Sequence, residues 1–297
     1  SHETAKIGAD NPDNIYLNSN IDGSFSYEVY GNIGEVDYLS FGLKENRYSI
    51  DGTMVSMGEI DLSLMAVKED GSFRLSLGPE PTSQNYLHLP PEANMLIVRQ
   101  TYSRRMHQKQ SVVHIKNLGK SEPTSLLTAE DLTRHLINSL AFVRGTAGTF
   151  LAWVKEFKEN HKNALPLGDQ SFFQAAGGDP KIYYLHGYYD FKDSEYLEIT
   201  TAIPECEFWN FQLENYWMES LDYRHNPIHL NSKTAKLDTD INSVKIVVSH
   251  QKLNIQNNII TEGRSNGAML LRWVDARDCP IPDIQIKSIT ELEVQDA

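Results

Sequence analysis

The side chains with the greatest chemical capacity gather late in the chain. Glu219, Asp222, His225 and His229 are the candidate acid–base groups of a hydrolase-like reaction, since carboxylates and imidazoles move protons near neutral pH. Trp217, Tyr223 and Arg224 stand among them, and Arg272 follows further on. Two flat rings and two guanidinium groups suit a ligand with a stackable face or an anionic group. Phe208, Trp209, Phe211 and Tyr216 lie just upstream, interleaved with Glu207 and Glu214, a pattern that fits either a sugar-stacking surface or the inner face of a strand. His225-Asn226-Pro227-Ile228-His229 places two imidazoles four apart, but Pro227 breaks the helix that a zinc pair at this spacing needs. A solvated loop and no metal are predicted.

Other chemistries lack their motifs. The chain has no G-x-S-x-G elbow, P-loop or dinucleotide-binding glycine fingerprint, so no cofactor is predicted. Gly145-Thr146-Ala147-Gly148 falls inside a helical pattern, where glycines serve close packing. The 297 residues carry a net charge of −13, so a phosphate backbone is repelled and nucleic acid is excluded as a partner. The apolar run from Leu140 to Val154 is broken by Arg144 and is too short to span a bilayer. No signal peptide opens the chain, and the compartment stays open. Cys206 and Cys279 form no C-x-x-C pair, and Cys206 reads as a small buried hydrophobe.

The elements that must position these groups are mostly strands. Residues 1–10 read as a frayed start. From 11 to 118, short alternating runs such as Phe25, Tyr27 and Val29 are separated by turn residues. Glu69-Asp70-Gly71 reads as a hairpin turn between the runs on either side of it. Thr128-Ala129-Glu130-Asp131 then opens a helix, with Thr128 as N-cap. Leu132, Leu136, Leu140, Val143, Ala147, Leu151, Val154 and Phe157 make one apolar stripe, expected to be core, on one long helix or two.

After Gly177-Gly178 the first pattern returns. Asn11-Pro12 matches Asp179-Pro180 at an offset of 168, the run from Val36 matches that from Cys206 at 170, and Arg99 matches Arg272 at 173. A slowly drifting offset is what loop insertions in a duplicated module produce. Each copy has an asparagine turn, at Asn85 and at Asn257-Asn258, leading into an apolar strand with a single arginine. An arginine in such a strand must find acceptors, so Arg99 and Arg272 read first as scaffold and second as an anion grip facing a cleft.

The runs Glu219-Ser220-Leu221-Asp222-Tyr223 and Leu271-Arg272-Trp273, with Asp10-Asn11-Pro12-Asp13-Asn14 and Leu96-Ile97-Val98-Arg99, give nearly the whole chain a family resemblance. It resembles bacterial proteins of the domain of unknown function numbered 1214, related to the companion numbered 1254. The resemblance implies β-rich domains, no settled activity and a helical segment upstream of Ser1. That family's pattern carries N-W-L-D-T and G-H-x-x-G before the Arg-Trp strand. Here Asn258, Ile260 and Arg264 replace its Trp, Asp and His, which removes the polar groups first nominated for chemistry.

The expected fold is mainly β with a helical linker: two similar antiparallel β-sandwich or jelly-roll-like domains from an internal duplication. They span 11–118 and 179–290, with the linker at 119–178. The expected function is binding of a small-molecule or carbohydrate-like ligand, with a pocket at the rim of the second module or between the modules. A hydrolase and a structural or assembly protein are the alternatives, and a homo-oligomer is compatible with each.

Overall fold

The structure is a computed structural model that describes residues 5–119 and 127–291. Among these the fold is mainly β, with strands in four sheets and only two α-helices. The chain divides into two compact units.

Unit 1 comprises Asp13–Thr146 and Gln174–Asp179. Its strands are β1 (Asn14–Asn20), β2 (Tyr27–Asn32), β3 (Tyr38–Asn46), β4 (Met54–Asp61), β5 (Ser72–Gly78), β6 (Tyr86–His88), β7 (Met95–Thr101) and β8 (Val112–Asn117). One sheet has the order β1-β7-β3-β4 and the other β6-β5-β2-β8. Alternation along β3 explains the core. Leu39, Phe41 and Leu43 point inward with Val29, Leu75 and Val98, as a period of two requires. The turn at Gly71 forms with φ +80, but β4 and β5 lie in different sheets, so the expected hairpin is a crossover instead. Alternation identifies a strand without naming its partner.

The helices are α1 (Ala129–Asn160) and α2 (Gln170–Ala175). Thr128 caps α1 by accepting from the Asp131 amide at 3.1 Å, and Asp131 Oδ2 accepts in return from the Thr128 hydroxyl at 2.8 Å. α1 runs unbroken through both glycines. Gly145 approaches the Tyr48 carbonyl so closely that a Cβ would lie 1.9 Å from it, whereas nothing lies within 4 Å of a Cβ at Gly148. The apolar stripe splits. Val154 and Phe157 are buried and Ala147 and Leu151 half-buried, but Leu132, Leu136, Leu140 and Val143 are exposed, contrary to the expected core role. Periodicity shows which residues share a face and not what covers it.

Unit 2 comprises Ala147–Phe173, the chain from Pro180 onward, and the segment ending at Pro12. Its strands are β9 (Ile182–Asp190), β10 (Glu195–Ala202), β11 (Phe208–Leu213), β12 (His229–Asn231), β13 (Leu237–Asp238), β14 (Ser243–Ser249), β15 (Asn258–Ile260), β16 (Asn266–Val274) and β17 (Asp283–Ser288). One sheet has the order β12-β11-β16-β9 and the other β13-β14-β10-β17, with β15 parallel to β14 as β6 is to β5. The strand order of unit 1 is thus repeated in unit 2, with β13 as one additional strand. Trp209, Phe211, Trp273 and Leu271 form its core with Ile246 and Ile199, and Cys206 and Cys279 pack against it as free thiols.

The asparagine turns coincide as well. Asn85 Nδ2 donates to the carbonyls of Ala66 and Arg74, each at 2.8 Å, while its Oδ1 accepts from the Ala66 amide. Asn257 does the same with Lys236 and Lys245. Asn257 is therefore the counterpart of Asn85. Residues 5–10 are not frayed: Ala9 and Asp10 are buried in unit 2, and the first four residues lie outside the described residues.

Candidate functional site

The site starts from strand β11. Its inward residues fill the core, so Asn210, Gln212 and Glu214 share the opposite face, and all three are fully buried there. Arg272 on the neighbouring β16 reaches the same face. It donates to Gln212 Oε1 at 2.5 Å and to the Ala9 carbonyl. Gln212 in turn donates to the Asp10 carbonyl and to Glu214 Oε1, at 3.0 and 2.8 Å. The segment ending at Pro12 lies over this polar face as a lid of backbone. Unit 1 has the parallel arrangement: Arg99 donates to the Gly177 carbonyl at 2.7 Å, with Glu59 and Asp179 at 3.7 and 3.8 Å.

Burial dominates the electrostatics of this bed. It pushes the Glu214 carboxyl up to about 8, against the opposing pull of the Arg272 charge. It also raises Asp10, which hydrogen bonds from Ser220 draw back down. His186, stacked on Phe157 at 5.0 Å, is held well below the usual imidazole value by the same desolvation.

The loop after β11 is built on that bed. Asn215 Oδ1 accepts from the amides of Trp217 and Glu219, at 2.8 and 3.1 Å, and its Nδ2 donates to Glu219 Oε2 at 2.7 Å. Met218 adopts φ +54 and is fully buried, which turns its neighbour Trp217 outward, 56% exposed, beside Tyr216 at 39%. From below, Met218 accepts from the Ala9 amide at 2.7 Å, Ser220 donates amide and hydroxyl to the Asp10 carboxylate at 2.9 and 2.8 Å, and Lys6 reaches the Leu221 carbonyl at 2.9 Å. Lys158 from α1 stands 5.8 Å from the Tyr216 and Tyr188 ring centres. The result is a rigid turn that displays an indole to solvent.

The remaining candidates do not converge. Asp222 is paired with Arg224 at 2.9 Å, which holds its carboxyl at about 2. Glu262 accepts from the Asp222 amide and from Asn226, fixing the bend that follows. His225 is exposed in that bend, and His229 opens β12 with its ring 6.4 Å from Tyr223. Tyr223 lies under Lys6 at 4.8 Å. Arg272 is 4% exposed beneath the bed, so it does not reach the surface that Trp217 occupies. Among the described residues no group of three or more His, Cys, Asp or Glu is placed to hold a metal. An open cleft of about 400 Å³ lies in unit 1, lined by Asp22, Phe25, Tyr27 and Asn117 among others. No helix among the described residues is long and apolar enough to cross a membrane.

Sequence reasoning did not reach Asn215, and it named Asp10 and Glu214 only as members of longer runs and not as site residues. Asn215 had a signal, since an asparagine two residues before a turn amide is a common Asx-turn opener. Glu214 had none: an alternating polar face reads as solvent-facing unless its cover is known.

No protein-family model matches the chain, and no curated protein does. A crystal structure of a protein from Vibrio parahaemolyticus aligns over 94% of this chain and 90% of that one, with a TM-score of 0.55 and 11% identity, a likeness of fold alone. A crystal structure of an uncharacterized protein from Burkholderia cenocepacia aligns over 98% of this chain and 81% of that one, with a TM-score of 0.94 and 37% identity. At that identity and coverage, the chain belongs to the same family as the Burkholderia cenocepacia protein.

Proposed function

We propose that the chain binds a small carbohydrate-like or similarly flat ligand at the Trp217 turn of unit 2. The observation that carries this reading is an indole left 56% exposed on a turn whose every other contact holds it in place. Fixing in advance the backbone that presents an aromatic side chain removes part of the entropy cost of binding. Tyr216 widens the platform, and Lys158 and Glu219 supply polar groups near its edges. The hydrolase alternative has less support. Asp222 is neutralised by Arg224, Glu219 is held by Asn215, and Glu214, whose carboxyl is pushed up to about 8, is sealed from solvent. We further infer membership of the domain-of-unknown-function family 1214, supported by the Glu219–Tyr223 and Leu271–Trp273 runs. Descent from a duplicated module is supported by the repeated strand order.

The test is calorimetric titration of wild type and Trp217→Ala with a panel of oligosaccharides. Wild type is expected to bind at least one, and Trp217→Ala to bind it at least about 30-fold more weakly, the size of an interface hot spot. Because the side chain is exposed, the melting temperature stays within the small range of surface substitutions. Equal binding by both proteins defeats the proposal.

A further inference from the structure

We propose that the N-terminal half of α1 is a dimer interface that receives the same helix of a second copy in antiparallel orientation. Residues 132–140 are exposed on every side, although helices of this length draw most of their stability from packing. Leu132, Leu136, Leu140 and Val143 form a strip down one face, each 52% exposed or more. At about 100° per residue, Gly145, where α1 meets the Tyr48 carbonyl of unit 1, lies on the opposite side, and Phe142, whose ring packs on Tyr48, lies to one flank. The strip thus faces away from the Tyr48 turn that anchors the helix. It carries on the order of 500 Å² of apolar surface, the size of the largest patch on a typical monomer, which is often functional. With its charged flanks it approaches the roughly 800 Å² per partner of a stable interface.

The flank selects the occupant. Glu130, Ile137 and Arg144 follow at steps of seven on one edge of the strip, with Ile137 at the midpoint. Turning a second copy antiparallel about that midpoint sets Glu130 against Arg144 twice and Ile137 against itself. The same rotation places the partner's Leu140 between Leu132 and Leu136, and the partner's Leu136 between Leu136 and Leu140. An isologous contact of this kind is self-complementary in charge and shape. A parallel pairing sets Glu130 against Glu130 and Arg144 against Arg144.

Sedimentation equilibrium on the full chain tests this. Twice the chain mass is expected, falling to a monomer for Leu136→Glu combined with Leu140→Glu, with far-ultraviolet circular dichroism unchanged. Glu130→Arg and Arg144→Glu each weaken the dimer at least about tenfold, and the two together restore it. With Cys206→Ser and Cys279→Ser, Ile137→Cys is expected to form a cross-linked dimer under mild oxidation and Leu132→Cys not to. A wild type that is monomeric at every concentration overturns the proposal, including one that instead co-sediments with phosphatidylcholine vesicles. So does a dimer indifferent to the leucine substitutions, or one cross-linked by Leu132→Cys in place of Ile137→Cys.

Discussion

At the scale of single residues, the two halves of the site have opposite natures. Trp217 is exposed, while Arg272 and Glu214 are buried and belong to the bed beneath it. Arg272→Met removes the donor to Gln212 and Ala9 and leaves Asp10 and Glu214 without their cation. A loss of about 3–5 kcal/mol is expected from chemical denaturation, because two buried acceptors lose their charged donor. Intact stability with lost ligand binding contradicts the scaffold role. Glu214 makes a separate prediction. Its folded carboxyl titrates at about 8, above the 4.5 of an ordinary glutamate, so the folded state retains a proton that the unfolded chain has released. This contribution is full below pH 4.5 and is lost as pH rises to about 8. Glu214→Gln keeps the acceptor for Gln212 and cannot ionise. Urea midpoints measured from pH 5 to 9 are expected to fall less steeply for the variant, by up to a few kcal/mol at the alkaline end. Parallel curves for the two proteins contradict the burial account.

Among the elements, α1 shows where sequence legibility stops. Its start was readable because Thr128 and Asp131 form a capping pair, and its stripe because leucines recur at three and four. What covers the stripe was not readable, since cover belongs to tertiary structure. The two glycines looked alike in sequence and differ in space. Gly148→Ala is expected to stabilise the protein by about 0.5–1 kcal/mol, because an exposed helix interior gains from a residue with less backbone freedom. Gly145→Ala is expected to destabilise it, since the new methyl meets a carbonyl at 1.9 Å. Thermal melts of the pair check both signs, and a stabilising Gly145→Ala contradicts the close approach to Tyr48. The β11 strand holds a similar lesson. Its period of two was legible, but Asn210, Gln212 and Glu214 form a second buried face, and that surface is created by a segment more than 190 residues earlier in the chain.

At the scale of the whole chain, the repeat was legible because core positions recur with a drifting offset, and the strand orders of the two units now run in parallel. The lead-in segments escaped notice. The residues before β1 belong to unit 2, and those before β9 belong to unit 1, where their carbonyls receive Arg272 and Arg99 respectively. Such long-range docking leaves no periodic trace. The family resemblance predicted a β-rich protein without settled chemistry. Within that frame the central claim is that ligand recognition rests on the displayed indole. Of four tryptophans, Trp153, Trp209 and Trp273 are buried, so a soluble quencher reports almost entirely on Trp217. Acrylamide quenching should be steep for wild type and shallow for Trp217→Phe. Saturation with a bound oligosaccharide should make wild type as shallow as the variant. A saccharide that binds while Trp217 stays fully quenchable contradicts the account.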